Sequence, residues 1–194
     1  MSALSAVDTS APDLIEPIVG FRQWRLNGPI LSSLFSDVRW PRTELRARCA
    51  VGGHDRESAP SSTCSCGIYA YYDPCPRTAS AATPDLVGGV VVVWGRVELH
   101  ATGLRAEHAR VVALELPLSR GRKRSTLVEI ADGLGVPAVP HRELKSVGTR
   151  HGSPLHRSLR PPRGWASAGS QPSIGVVPKA VSAAIAASRR HSRP

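Results

Sequence analysis

Cys49, Cys64 and Cys66, three of the chain's four cysteines, share one short stretch with His54, in the spacing C-x4-H-x9-C-x-C. Thiolates and imidazoles are the donors of structural zinc sites, commonly four cysteines or three cysteines and a histidine in a tetrahedron. Cys64-Ser65-Cys66 offers two donors from one turn. Cys49 and His54 offer two more from a strand end and the loop after it, where Gly52 and Gly53 let the chain fold back. The predicted set is Cys49, His54, Cys64 and Cys66 around one structural zinc. Cys75 competes with His54 for the fourth place. The same residues leave open reduced thiols with His54 an ordinary loop residue, a disulfide such as Cys64 to Cys75, or an iron–sulfur cluster on all four cysteines. A loop as polar as 52–63 needs a staple to be ordered, which favours the metal.

Three cysteines and a histidine close a tetrahedral shell, whereas a catalytic zinc keeps one position for water. His100, Glu107 and His108 are the remaining candidates for chemistry. They are expected at a solvated hairpin end, with Glu107 in an ion pair near Arg105. No nucleophile elbow, phosphate loop or dinucleotide fingerprint is present. The expectation leans away from an enzyme, with a small metalloenzyme using the Cys/His site as an alternative.

The elements that must hold these residues are mostly strands. IVGFRQWRL (18–26) and ILSSLF (30–35) flank Asn27-Gly28-Pro29, a hairpin signal. LRARCAV (45–51) alternates as a third strand, and GIYAYY (67–72) is ambiguous between strand and helix. VGGVVVVWGRVELH (87–100) is the clearest strand, with Gly88, Gly89 and Gly95 suggesting a bulge or bend. AEHARVVALEL (106–116) returns as the partner of a second hairpin. Thr126 to Glu129 fits a capping box, with Leu127, Ile130, Ala131 and Leu134 at helical spacing and Gly135 as the stop. HRELKSVG predicts a second short helix ended by Gly148. The expected fold is α+β: a small antiparallel, barrel-like sheet with a zinc-stapled loop (49–75) and two short C-terminal helices at 125–148. A flexible N-terminus (1–16), one globular domain (17–148) and a disordered basic tail (149–194) complete it.

The W-R near the start, Trp40-Pro41, the Cys49 and His54 pair, C-S-C-G-I-Y-A (64–70), V-W-G-R-V (93–97) and G-L-R-A-E-H-A (103–109) together resemble a group of short uncharacterised actinobacterial proteins. The resemblance covers about 18–147. It implies a metal set corresponding to Cys49, His54, Cys64 and Cys66, with Cys75 outside it, and it implies no activity.

Charge divides the chain. Residues 1–117 carry 11 Lys and Arg against 12 Asp and Glu, and residues 118–194 carry 14 against 3. Eight of the nine aromatics precede residue 95, so the packed core belongs to the near-neutral part. A basic tail attracts anionic partners, nucleic acid first among them. Arg120, Arg122, Lys123 and Arg124 are the candidate phosphate contacts, in a mode without sequence preference. Residues 126–147 also invite an alternative reading as a helix-turn-helix DNA-binding regulator, against which Pro140 stands inside the would-be recognition helix. The N-terminal segment lacks a basic start and an apolar core, and VVVVW (90–94) is too short to span a bilayer, so a cytoplasmic protein without membrane partners is expected. A protein partner remains compatible with this pattern. The expected role is a non-enzymatic, zinc-stabilised binding module that associates with DNA or RNA through its basic C-terminal region.

Overall fold

The computed structural model of the chain describes residues 16–34, 36, 38–40, 44–50, 52, 54–74, 85–118 and 121–162. Strands dominate. β1 (Ile18–Asn27) turns through Gly28-Pro29 into β2 (Ile30–Ser32), with Asn27 opposite Ile30. Gly28 has φ +58° and is followed by proline, which cannot take positive φ, so the turn has the glycine-first pattern of type II′ rather than the Asn-Gly pattern of type I′. β3 is only Leu45–Arg46, shorter than the 45–51 expected. β4 (Ile68–Tyr71) resolves the ambiguous GIYAYY as a strand.

The long hairpin of β5 (Leu86–Leu99) and β6 (Gly103–Glu115) organises everything else. β5 pairs with β1 and β6, and β4 also pairs with β1 and β6, so β1, β5, β6 and β4 close into a ring of antiparallel strands. The register of the hairpin shifts between Trp94 and Val97, where Gly95 takes φ +75° as the bulge that the glycine pattern suggested. Two small strands add parallel pairs: β7 (Ala138–Val139) on β6 and β8 (Ser153–Pro154) on β1.

The valine run of β5 is buried on both faces, which is why it reads as continuous rather than alternating. Val91 and Val93 join Trp24, Ile68, Leu104 and Ala106 in one cluster, while Val90 and Val92 join Val19, Phe21 and Val112 in another. The first helix, α1 (Arg122–Leu134), packs Leu127, Ile130 and Ala131 on the first cluster, and the second, α2 (Leu144–Gly148), covers the second with Leu144 and Val147.

The C-terminal elements include the two short helices expected, with other bounds and surroundings than the sequence suggested. α1 begins at Arg122, not near Thr126, so the proposed capping-box residues lie inside the helix; Arg and Lys are good helix formers and carry the helix back to Gly121. Gly135 does end it, donating to the Asp132 carbonyl while Val136 donates to that of Ala131. Residues 126–147 run as helix, short strand and five-residue helix, as the two expected helices require, and not as the alternative helix-turn-helix, because Pro137 and Pro140 flank a segment that pairs with β6. Packing also continues past residue 148: β8 adds to the sheet, Leu155 is buried, and the Arg160 guanidinium lies 4.5 Å from the Tyr72 ring centroid. The part of the expected tail from 163 onward, and the N-terminus to residue 15, lie outside the described residues. Among the described residues no helix is long and apolar enough to cross a membrane.

Candidate metal centre

The predicted ligands come from three pieces of chain that the ring holds together. Leu45–Arg46 pairs with β6, and the Ala47 N–H donates to the Glu107 carbonyl at 2.6 Å, which delivers Cys49 to the end of the sheet. The Cys49 N–H then donates to the Arg56 carbonyl at 3.0 Å, folding the loop back on itself. A single 3-10 turn, Arg56–Ser58, capped by the Asp55 side chain, fixes that return and presents His54. Cys64 and Cys66 follow on a turn closed by the Cys64 N–H to the Ser61 carbonyl at 3.0 Å, immediately before β4.

These pieces bring the four donor atoms of Cys49, His54, Cys64 and Cys66 within 4.8 Å of one another, close enough to bind a metal ion. The Cys49 and Cys64 sulfurs are 3.7 Å apart, and the Cys66 sulfur is 3.4 Å from His54 Nε2. A disulfide needs S–S near 2.05 Å, so the 3.7 Å contact of Cys49 and Cys64 is not one. A tetrahedral zinc with Zn–S near 2.3 Å and Zn–N near 2.0 Å requires S···S edges of about 3.8 Å and S···N edges of about 3.5 Å. The two observed edges match those lengths.

The imidazole is set for the task. His54 Nδ1 lies 2.8 Å from the Asp55 carbonyl, which can only accept, so Nδ1 carries the proton and Nε2 turns its lone pair to the sulfurs. Ser58 Oγ donates to the same carbonyl at 2.7 Å and lies 2.9 Å from Nδ1, fixing the ring plane. Burial pushes the Cys66 thiol up to about 11, and Cys64 and Cys49 beside it push the same way. Holding Cys66 as a thiolate here needs a cation beside it, which a divalent metal would supply.

Under the turn lies a buried arginine whose role the sequence reading did not assign. Arg105, on β6, is 2% exposed. Its guanidinium pairs with the buried Glu98 carboxylate, its directly opposed residue on β5, and not with Glu107. It also donates to the carbonyls of Ser61, Cys64 and Cys66, and from Nε to His100 Nε2 at 3.1 Å. The signal was the hairpin register: with Leu99 opposite Leu104, Glu98 must face Arg105.

His100 is buried and held neutral, its pKa lowered to about 4 first by burial and then by the Arg105 charge, so it is not the solvated hairpin end expected. Glu107 and His108, neighbours in the chain, lie 3.5 Å apart beside the bulge at Gly95. There Glu107 gathers Arg46 and Arg96, and His108 stacks on Trp94 at 5.6 Å. His100 takes no part in that group. Its backbone oxygen accepts from the Tyr72 hydroxyl at 2.8 Å.

The expected phosphate contacts are only partly free. Arg122 is exposed, but Lys123 Nζ donates to the Leu86 carbonyl at 2.7 Å and Arg124 to that of Pro117 at 3.1 Å, tying the start of α1 to the sheet. Arg120 and Cys75 lie outside the described residues, as does any Cys64 to Cys75 disulfide. No protein-family model, curated protein or solved structure matches the chain.

Proposed function

We propose that this protein is a zinc-stabilised binding module, with Cys49, His54, Cys64 and Cys66 closing a structural metal shell and the basic C-terminal region supplying non-specific affinity for nucleic acid. The observation that carries the first half is the convergence of the four donor atoms within 4.8 Å, with one S···S and one S···N separation at tetrahedral edge length. Zinc is favoured over softer or harder metals by the donor set of three thiolates and one imidazole. That set fills four-coordinate zinc and leaves no position on which a water would be activated, which supports a staple over a catalyst. The second half is supported by charge: 14 Lys and Arg against 3 Asp and Glu from residue 118 on.

The test is elemental analysis of protein purified under reducing conditions without a histidine tag. The wild type is expected to carry about one zinc per chain. Cys64→Ser is expected to lose the metal, and the order of the loop carrying Cys49 and His54 with it. Metal-free wild type that melts at the same temperature with and without added zinc would sink the proposal.

A further inference from the structure

We propose that Arg105 is the positioning residue of the metal centre, holding the Cys64-Ser65-Cys66 turn with its thiols converged before any metal arrives. The proposal rests on the zinc reading above and goes beyond it, because it makes affinity a property of the strand ring as well as of the four ligands.

A guanidinium has five N–H donors in a rigid fork, and burying it is costly unless they are satisfied. At Arg105 all five have acceptors. Nε serves His100, one terminal nitrogen serves the Cys64 and Cys66 carbonyls, and the other serves Glu98 and the Ser61 carbonyl. An ion pair with Glu98 alone would need two donors at most. Three of the five instead go to backbone carbonyls that bracket both cysteines of the turn. The fourth carbonyl in reach, that of Ser65, accepts from the Tyr69 hydroxyl at 2.6 Å, and the Tyr69 ring centroid lies 5.9 Å from the Arg105 guanidinium carbon. With the carbonyls of 61, 64, 65 and 66 drawn to one side, the two thiols are left to face Cys49 and His54.

Arginine is also the residue that suits the charge. A divalent ion bound by three thiolates carries one net negative charge, and a cation fixed beneath the turn favours that complex. Lysine has a single ammonium and no planar fork, so it cannot reproduce contacts to three carbonyls and a carboxylate at once.

The experiment uses the full chain as wild type, Arg105→Lys and the control Leu127→Ala, which truncates the core through α1, an element apart from the turn. Zinc affinity is read by competition against a chromophoric chelator, and cobalt(II) charge-transfer bands report the thiolate ligands at saturation. Arg105→Lys is expected to bind zinc about 10–100-fold more weakly, the range typical for loss of an outer-shell partner, with the saturated cobalt spectrum unchanged. Leu127→Ala is expected to keep the wild-type affinity, separating positioning from stability. Equal affinity in wild type and Arg105→Lys overturns the positioning role and leaves the zinc reading standing. A wild type that binds no zinc overturns both.

A second measurement needs no variant and covers the case in which Arg105→Lys fails to fold. In chelator-stripped wild type, the Cys64 amide, which donates to the Ser61 carbonyl inside the turn that Arg105 holds, is expected to exchange slowly, since the carbonyl cradle does not depend on metal. Exchange at the rate of an unfolded peptide would overturn the proposal.

Discussion

His100 is the residue whose chemistry couples most directly to solution conditions. Its Nε2 accepts from Arg105 Nε, so the ring is neutral in the folded protein, and its pKa falls from 6.5 to about 4. A base with a depressed folded pKa binds its proton more readily when unfolded. Stability from this group is therefore complete above about pH 6.5 and is lost as pH falls through the window from 6.5 toward 4. One proton taken up on unfolding gives a slope of at most about 1.4 kcal/mol per pH unit. Urea melts of metal-free protein across that window are expected to show a slope in wild type that is reduced in His100→Gln. The difference between the two proteins isolates His100 from the carboxylates that titrate nearby. Parallel pH profiles in the two proteins would show that His100 binds its proton equally well in the folded and unfolded states.

At the scale of elements, α2 shows how a glycine can be misread. Gly148 stands where a helix-stopping residue is expected, yet it is the last residue of the helix, and the chain goes on in a right-handed conformation at Thr149. What requires glycine is space: an added Cβ would meet Val19 Cγ1 at 2.7 Å and Val90 Cγ1 at 3.1 Å. Both neighbours are valines with stiff side chains, so they yield poorly. Gly148→Ala is expected to destabilise by about 1–3 kcal/mol through overpacking, although alanine is the better helix former by about 1 kcal/mol. Chemical denaturation decides between the two effects, and a stabilised variant would mean that α2 can lift off β5 at little cost. The same contrast runs through the whole fold. Hairpins, the bulge at Gly95 and the Cys/His set were legible because their determinants are adjacent or carry a spacing that chemistry recognises. The start of α1, the pairing of Ala138–Val139 with β6 and the docking of 153–160 were not, because each is decided by a surface folded from distant sequence. Arg105 is the clearest case: it lies about 40 residues beyond the carbonyls it holds, and only the register of β5 and β6 gives it away.

For the molecule as a whole, the uneven charge has to be divided between groups tied to the body and groups left for a partner. Lys145 pairs with Asp73 at 2.8 Å, Arg160 leans on Asp73 and Tyr72, and Lys123 and Arg124 are anchored to backbone carbonyls. The Lys145 contact is also the main reason the Asp73 carboxyl is held below its ordinary range. Arg122, Arg150 and Arg157 are exposed, and five further Lys and Arg lie between 163 and 194. A polyanion drawn by this charge would meet exposed side chains among the described residues, and residues 163–194 add those five further Lys and Arg. Each phosphate neutralised on duplex DNA adds about 0.9 to the slope of log affinity against log salt. Deleting 163–194 is expected to lower that slope by up to about 4.5, whereas Arg122→Ala should lower it by at most about 1. Fluorescence anisotropy with an arbitrary duplex, at several salt concentrations and with zinc present, measures both. An unchanged slope in the truncated protein would move the contact onto residues before 163. A wild type with no salt dependence would remove nucleic acid as the partner and leave a module stapled by metal for some uncharged ligand.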